Sequence, residues 1–171
     1  MERLVLSVRN VALVSTNVAY RPTFKGKRAF YRRSSELLAF QADFSSKLEA
    51  CRDSLEVFKE QVASESHLGL KLTLILEMPR DMFFYKRKTE ELRPSDTSNY
   101  IKAIEDQISQ FIGIDDKYNV RVCAVKCFAE GLDACNVYAI LEPDDYMRYD
   151  SGRILEFYGL GTCTDTRSDA D

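Results

Sequence analysis

Histidine is almost missing: His67 is the only one in 171 residues. Nucleophilic mechanisms that use imidazole as the general base, Ser-His-Asp or Cys-His, are therefore disfavoured. No apolar run approaches the 18 or more residues of a membrane span. The N-terminal stretch M-E-R-L-V-L-S-V-R-N is too short and too charged for a signal peptide. A cytoplasmic location with no membrane partner is the expectation. None of the seven glycines falls in a P-loop or a Rossmann pattern, so no small-molecule cofactor is expected. No internal repeat is present. The five cysteines are odd in number and irregularly spaced, which argues against a disulfide framework. Cys123 and Cys127 would share one side of a strand, but His67 is far from them in sequence. Buried free thiols are the favoured reading over a zinc pair.

The net charge of −3 looks wrong for a nucleic-acid-binding protein, but its distribution alters that. Residues 142–171 hold eight acidic and three basic residues, whereas the first 141 hold 21 basic and 19 acidic ones. An acidic tail masks a mildly basic body. The length fits one domain with a substantial core.

Residues 3–9 alternate like a strand, and Val11–Val14 either continue it or turn away. From Asn17 to Arg33 there is no acidic residue. Arg21, Lys25, Lys27, Arg28, Arg32 and Arg33 are interleaved with Tyr20, Phe24, Phe30 and Tyr31. Pro22 and Gly26 predict a loop here. The mixture suits phosphate contact and base stacking; a merely solvated basic loop is the competing reading. Ser34 and Ser35 are candidate N-caps. After them Leu37, Phe40, Phe44, Leu48, Cys51, Leu55, Phe58 and Val62 step by three and four, predicting a long core-facing helix over 34–63. Leu68 to Met78 alternates as a strand that Pro79 ends. Asp81 to Leu92 reads as a loop or hairpin tip. Its aromatics Phe83, Phe84 and Tyr85 adjoin Lys86, Arg87 and Lys88; packing is the preferred role, with dimer contacts or a DNA wedge as alternatives. Residues 119–128 and 136–141 are predicted to form an antiparallel pair, the second strand ending at Pro143.

Between these lies R-P-S-D-T-S-N-Y-I-K-A-I-E-D-Q-I-S-Q-F-I-G-I-D-D, residues 93–116. Ile101, Ile104, Ile108, Phe111 and Ile112 mark one face of a helix over 98–112. Asn99, Lys102 and Asp106 mark another. Asp96 precedes the helix, and Asp115 and Asp116 follow it. A solvated surface helix between two acidic loops would account for this much.

The stretch also resembles the signature of RusA-type Holliday junction resolvases. Their usual form is D-x-D-N, Lys three residues after the Asn, an acidic residue, then D-D about ten residues later. Asp96, Asn99, Lys102, Asp106, Asp115 and Asp116 match it, and Lys126 follows in β-strand sequence. Ser98 departs from it, standing where the commonest members carry a second aspartate. The resemblance spans roughly residues 15–142, and RusA-like chains also carry a basic, tyrosine-containing segment at the position of 17–33. It implies an α/β (α+β) fold with a mixed sheet against two main helices in a nuclease domain over 1–145. Residues 146–171 would be an extension, with a weak apolar cluster at Ile154–Leu160 and last residues expected to be disordered. It further implies a homodimeric, Mg²⁺-dependent endonuclease acting on branched DNA, with Mn²⁺ able to replace Mg²⁺. Such enzymes are common in phages and prophages, so a phage- or prophage-encoded protein in a bacterial cell is implied.

Under this resemblance Asp96, Asp116, Lys102, Asp115 and Asn99 are the catalytic candidates. Asp96 and Asp116 are the main metal ligands, Asp115 is a ligand or a ligand's partner, and Asp106 contributes from the helix side. The chemistry is coherent, because Mg²⁺ takes one or two carboxylates plus waters and activates water against phosphate. Lys102 would place a point charge on a phosphate or leaving oxygen. Asn17, Arg21, Lys25, Lys27, Arg28, Arg32, Arg33, Lys86, Arg87, Lys88 and Lys126 are the DNA-binding candidates. Two other readings remain open: a catalytically weak or inactive structure-selective DNA-binding protein on the same scaffold, and an interaction module whose acidic helix binds a basic partner.

Overall fold

The computed structural model describes residues 3–25, 28–63, 68–85, 88–92 and 97–145. In chain order the elements are β1 (Leu4–Val11), α1 (Thr16–Ala19), β2 (Tyr20–Lys25), β3 (Arg28–Arg33), α2 (Ser35–Leu48), a 3₁₀ turn (Glu49–Cys51) and α3 (Arg52–Ala63). Then come β4 (Leu68–Pro79), α4 (Arg80–Phe83), β5 (Phe84–Tyr85), β6 (Lys88–Leu92), α5 (Ser98–Ile112), a 3₁₀ turn (Asp116–Tyr118), β7 (Asn119–Ala129) and β8 (Cys135–Asp145). The fold is mixed α+β. No helix among the described residues is long and apolar enough to cross a membrane.

The main sheet has four strands in the order β1-β8-β4-β7. β8 is antiparallel to both β1 and β4, and β7 runs parallel to β4. The alternation of β4 explains its central place. Leu70, Leu72, Leu74, Leu76 and Met78 are buried on one face with Leu4, Leu6 and Val8 of β1 and Val137, Ala139 and Leu141 of β8. Helices cover that face. Leu37, Phe40, Phe44, Leu48, Leu55 and Phe58 are buried from α2 and α3, and Ile104, Ile108 and Ile112 from α5. The Ser34 hydroxyl accepts the Leu37 N–H at 3.0 Å, capping α2 as expected.

Several expectations need correction. The segment 17–33 is no loop but α1 followed by a β2–β3 ribbon, with Lys25 paired to Arg28. Pro22 is tolerated because the ribbon has only two strands, so one side of each strand needs no partner. The helix expected over 34–63 is interrupted by the 3₁₀ turn at Glu49–Cys51, although its apolar stripe continues through Leu48 and Leu55. β7 and β8 are not paired with each other, because β4 lies between them. Nor does Pro143 end β8: it pairs with Leu70, beyond the last β1 pair, Leu4 with Leu141. There β8 has a strand on one side only, where a missing N–H costs little.

The thiols also differ from one another. Cys135 is buried, its pKa pushed up to about 11 by burial, while Cys123 on β7 is exposed and not the buried thiol expected. The segment after Pro79 is α4 and the β5–β6 hairpin. Phe83, Phe84 and Phe128 form a ring cluster with centroids 4.8–5.4 Å apart, consistent with a packing role. Met82 and Phe83 pack against the core, while Tyr85 is exposed.

Candidate nuclease site

α5 is set by its apolar face, and that fixes the opposite face. Gln107, between Ile104 and Ile108, is buried and accepts a hydrogen bond from the Ser45 hydroxyl at 3.0 Å, tying α5 to α2. Asn119 donates to Glu105 at 2.7 Å, tying α5 to the start of β7. The helix ends at Gly113, whose φ of 70° is left-handed and whose N–H bonds to the Ser109 carbonyl at 2.9 Å. This is the helix stop for which glycine is best suited. It turns the chain back along α5 and brings the Asp115–Asp116 pair beside the helix.

The result is a convergence on Lys102. Its ammonium lies 2.8 Å from Asp106 and also donates a short hydrogen bond to Asp116. Both carboxylates hold the Lys102 pKa well above the usual lysine range, the Asp106 bond contributing most. Lys102 therefore stays a cation and is no general base at neutral pH. Asp115 points elsewhere. It caps the following 3₁₀ turn, its carboxylate accepting the Lys117 N–H at 3.0 Å, with the Lys117 ammonium 3.3 Å away. The backbone bond, then the ammonium, hold its pKa below the usual carboxylate range.

A polar groove of about 410 Å³ runs along this side of the helix. Asp106, Asp115 and Asp116 line it together with Tyr20 and Arg33, the first and last residues of the ribbon. Gln41, Gln107, Ser109, Gln110, Gly113 and Ile114 also line it. The glutamines were not foreseen as site residues; Tyr20 was foreseen only as one of the aromatics among the basic residues of its segment. Asn99 accepts a hydrogen bond from the Thr16 hydroxyl at 3.1 Å, so it braces α1 against α5. Thr16 was not foreseen either.

Ribbon register arranges the cations. Arg21 lies opposite Arg32 and Lys25 opposite Arg28. Arg28, Arg32, Arg33 and Asn17 are exposed. Lys126 sits on β7 with its ammonium 5.5 Å from the Phe83 ring centre and is not among the groove residues. Lys88 begins β6. Asp96, Lys27, Lys86 and Arg87 lie outside the described residues, as do His67 and Cys163.

Among the described residues no three histidine, cysteine, aspartate or glutamate side chains form a metal-binding group. The reason is geometric: Asp106 and Asp116 face one point, but Asp115 is turned to its own cap. Two carboxylates facing one point still suit a hard cation such as Mg²⁺, which needs only one or two plus waters. No protein-family model matches the chain, and no curated protein matches it.

Proposed function

We propose that this chain is a Mg²⁺-dependent endodeoxyribonuclease of RusA type, acting on four-way junctions and related branched DNA as a homodimer. The observation that carries the reading is the groove that Asp106, Asp115 and Asp116 line together with Arg33 and Tyr20, the last and first residues of the ribbon. Anion-binding and cation-binding groups in one groove are what a phosphodiester and its activating metal require together.

The ribbon supports a polyanionic partner. Directly opposed like charges destabilise a strand pair by about 0.2–1 kcal/mol, and the register opposes two such pairs, Arg21 with Arg32 and Lys25 with Arg28. A phosphate backbone would turn that repulsion into attraction. In the groove, Asp116 and Asp106 would hold the metal, and the resemblance would add Asp96. A metal held there would supply activation of water and neutralise phosphoryl charge. Lys102, kept protonated by the same two carboxylates, would place its charge on a phosphate or leaving oxygen as those carboxylates turn to the metal. Arg33, which also lines the groove, would orient the phosphate.

Cleavage of a synthetic four-way junction with Mg²⁺, against a linear duplex control, tests the reading. Paired nicks in opposing strands are expected, and no cleavage of any branched substrate would overturn it. One observation favours a binding protein without catalysis: Lys102 already neutralises Asp106 and Asp116, and Ser98 adds no carboxylate. Junction binding with no cleavage in Mg²⁺ or Mn²⁺ would select that alternative.

A further inference from the structure

The two edges of the main sheet are unlike. β1 is interrupted: its register shifts between Val8 and Val11, and Asn10 takes a φ of 55°. A break of that kind blunts an edge against pairing. β7, the other edge, spans Asn119–Ala129 with neither proline nor glycine. Among the described residues no strand pairs with its outer side. Val122, Val125 and Phe128 on it are 39%, 56% and 41% exposed. Its register on β4 shifts once, at Val120 next to its start. From Arg121 on it is a regular, partly apolar edge, which is a template for another strand.

We propose that β7 pairs antiparallel with β7 of a second copy about a two-fold axis through Ala124, joining two four-stranded sheets into one. The strand is complementary to itself. Ala124 is the middle residue of β7, so this centre alone overlaps the whole strand. Beyond the shift at Val120, Val122 then faces Lys126, Cys123 faces Val125 and Arg121 faces Cys127. The only charged residues of β7 are Arg121 and Lys126, and neither meets a like charge. Paired residues lie an even number of positions apart, so both copies keep their helices on the same side of the joined sheet. Such an isologous contact closes as a dimer and leaves no free β7 edge.

The inference supplies an interface for the two-copy part of the proposed function, but its test needs neither DNA nor metal. A junction-cleavage failure would leave it standing; a dimer linked elsewhere would sink it alone, and a monomer would sink it together with the homodimer part of that reading. Sedimentation equilibrium of the full chain at micromolar concentration is expected to give twice the mass of one chain. Val125→Cys, at an exposed position, places a thiol opposite Cys123 of the partner. Oxidation, or a short bis-maleimide, is expected to yield a covalent dimer linked 123 to 125 by peptide mass spectrometry. Val125→Cys combined with Cys123→Ser should lose it. A single-chain mass for the unaltered protein would overturn the proposal and leave residues 146–171 as the candidate cover for this edge. A two-chain mass with no 123–125 link would overturn it in favour of another surface.

Discussion

On β4, Leu72, Leu74 and Leu76 have no exposed surface, and their neighbours across β8 are as deeply buried. On the β2–β3 ribbon, Tyr31 is 74% exposed and the opposed positions are cations. Both are alternating strands. In one, alternation separates apolar from polar, and burial repays ordering the chain. In the other the register opposes cation to cation, Arg21 with Arg32 and Lys25 with Arg28, and little is repaid within the chain. Under the proposed function, stability and recognition would fall to different strands, and each could be altered without the other.

The largest effect should come from the sheet. Leu74→Ala removes buried methyl groups between β8, β7 and the helices and is expected to cost about 2–5 kcal/mol of stability. Urea unfolding followed by circular dichroism measures it. A change below about 1 kcal/mol would mean the sheet is not the main store of stability.

Next comes the groove between the two regions. Asp116→Asn should reduce junction cleavage by about 10²–10³-fold, the order reported for losing one preorganised electrostatic group. Junction binding should be kept or tightened, because a negative charge facing phosphate is lost. Single-turnover cleavage and a gel-shift titration separate the two. Full activity would place the catalytic centre elsewhere.

The ribbon should respond in the opposite sense to the sheet. Arg28→Ala with Arg32→Ala relieves both opposed pairs, so stability should hold or rise by a few tenths of a kcal/mol. DNA affinity should fall, and the slope of log affinity against log salt should flatten by about 0.9 for each lost phosphate contact. An unchanged slope would take the ribbon out of the interface.

The smallest expected effect is one of pH. The raised Lys102 pKa keeps the ion pairs with Asp106 and Asp116 intact below the ordinary lysine range. On the alkaline side they would be lost only as pH rises through that raised value. In the metal-free protein Lys102 should therefore keep its proton between neutrality and about pH 10, the ordinary lysine value. An NMR titration in which the Lys102 ammonium loses its proton near pH 9 would overturn this.

Local periodicity determined much of the scaffold. The stripe from Leu37 to Val62, the alternation of Leu68 to Met78 and the isoleucines of α5 each announce one buried face, because a helix or strand exposes its period directly in the chain. Gly113 and the Asp115–Asp116 pair were legible in the same way, as a helix stop followed by carboxylates. Sheet order was not, since pairing β7 with β4 and inserting β4 beside β8 depends on how faces stack, not on neighbours in sequence. The ribbon was hidden because Pro22 and Gly26 are loop signals that a two-stranded ribbon tolerates. Which carboxylates meet was also decided in three dimensions. Asp116 joins Asp106 at Lys102, while its neighbour Asp115 caps a turn, and adjacent residues diverge because successive side chains leave the backbone in different directions.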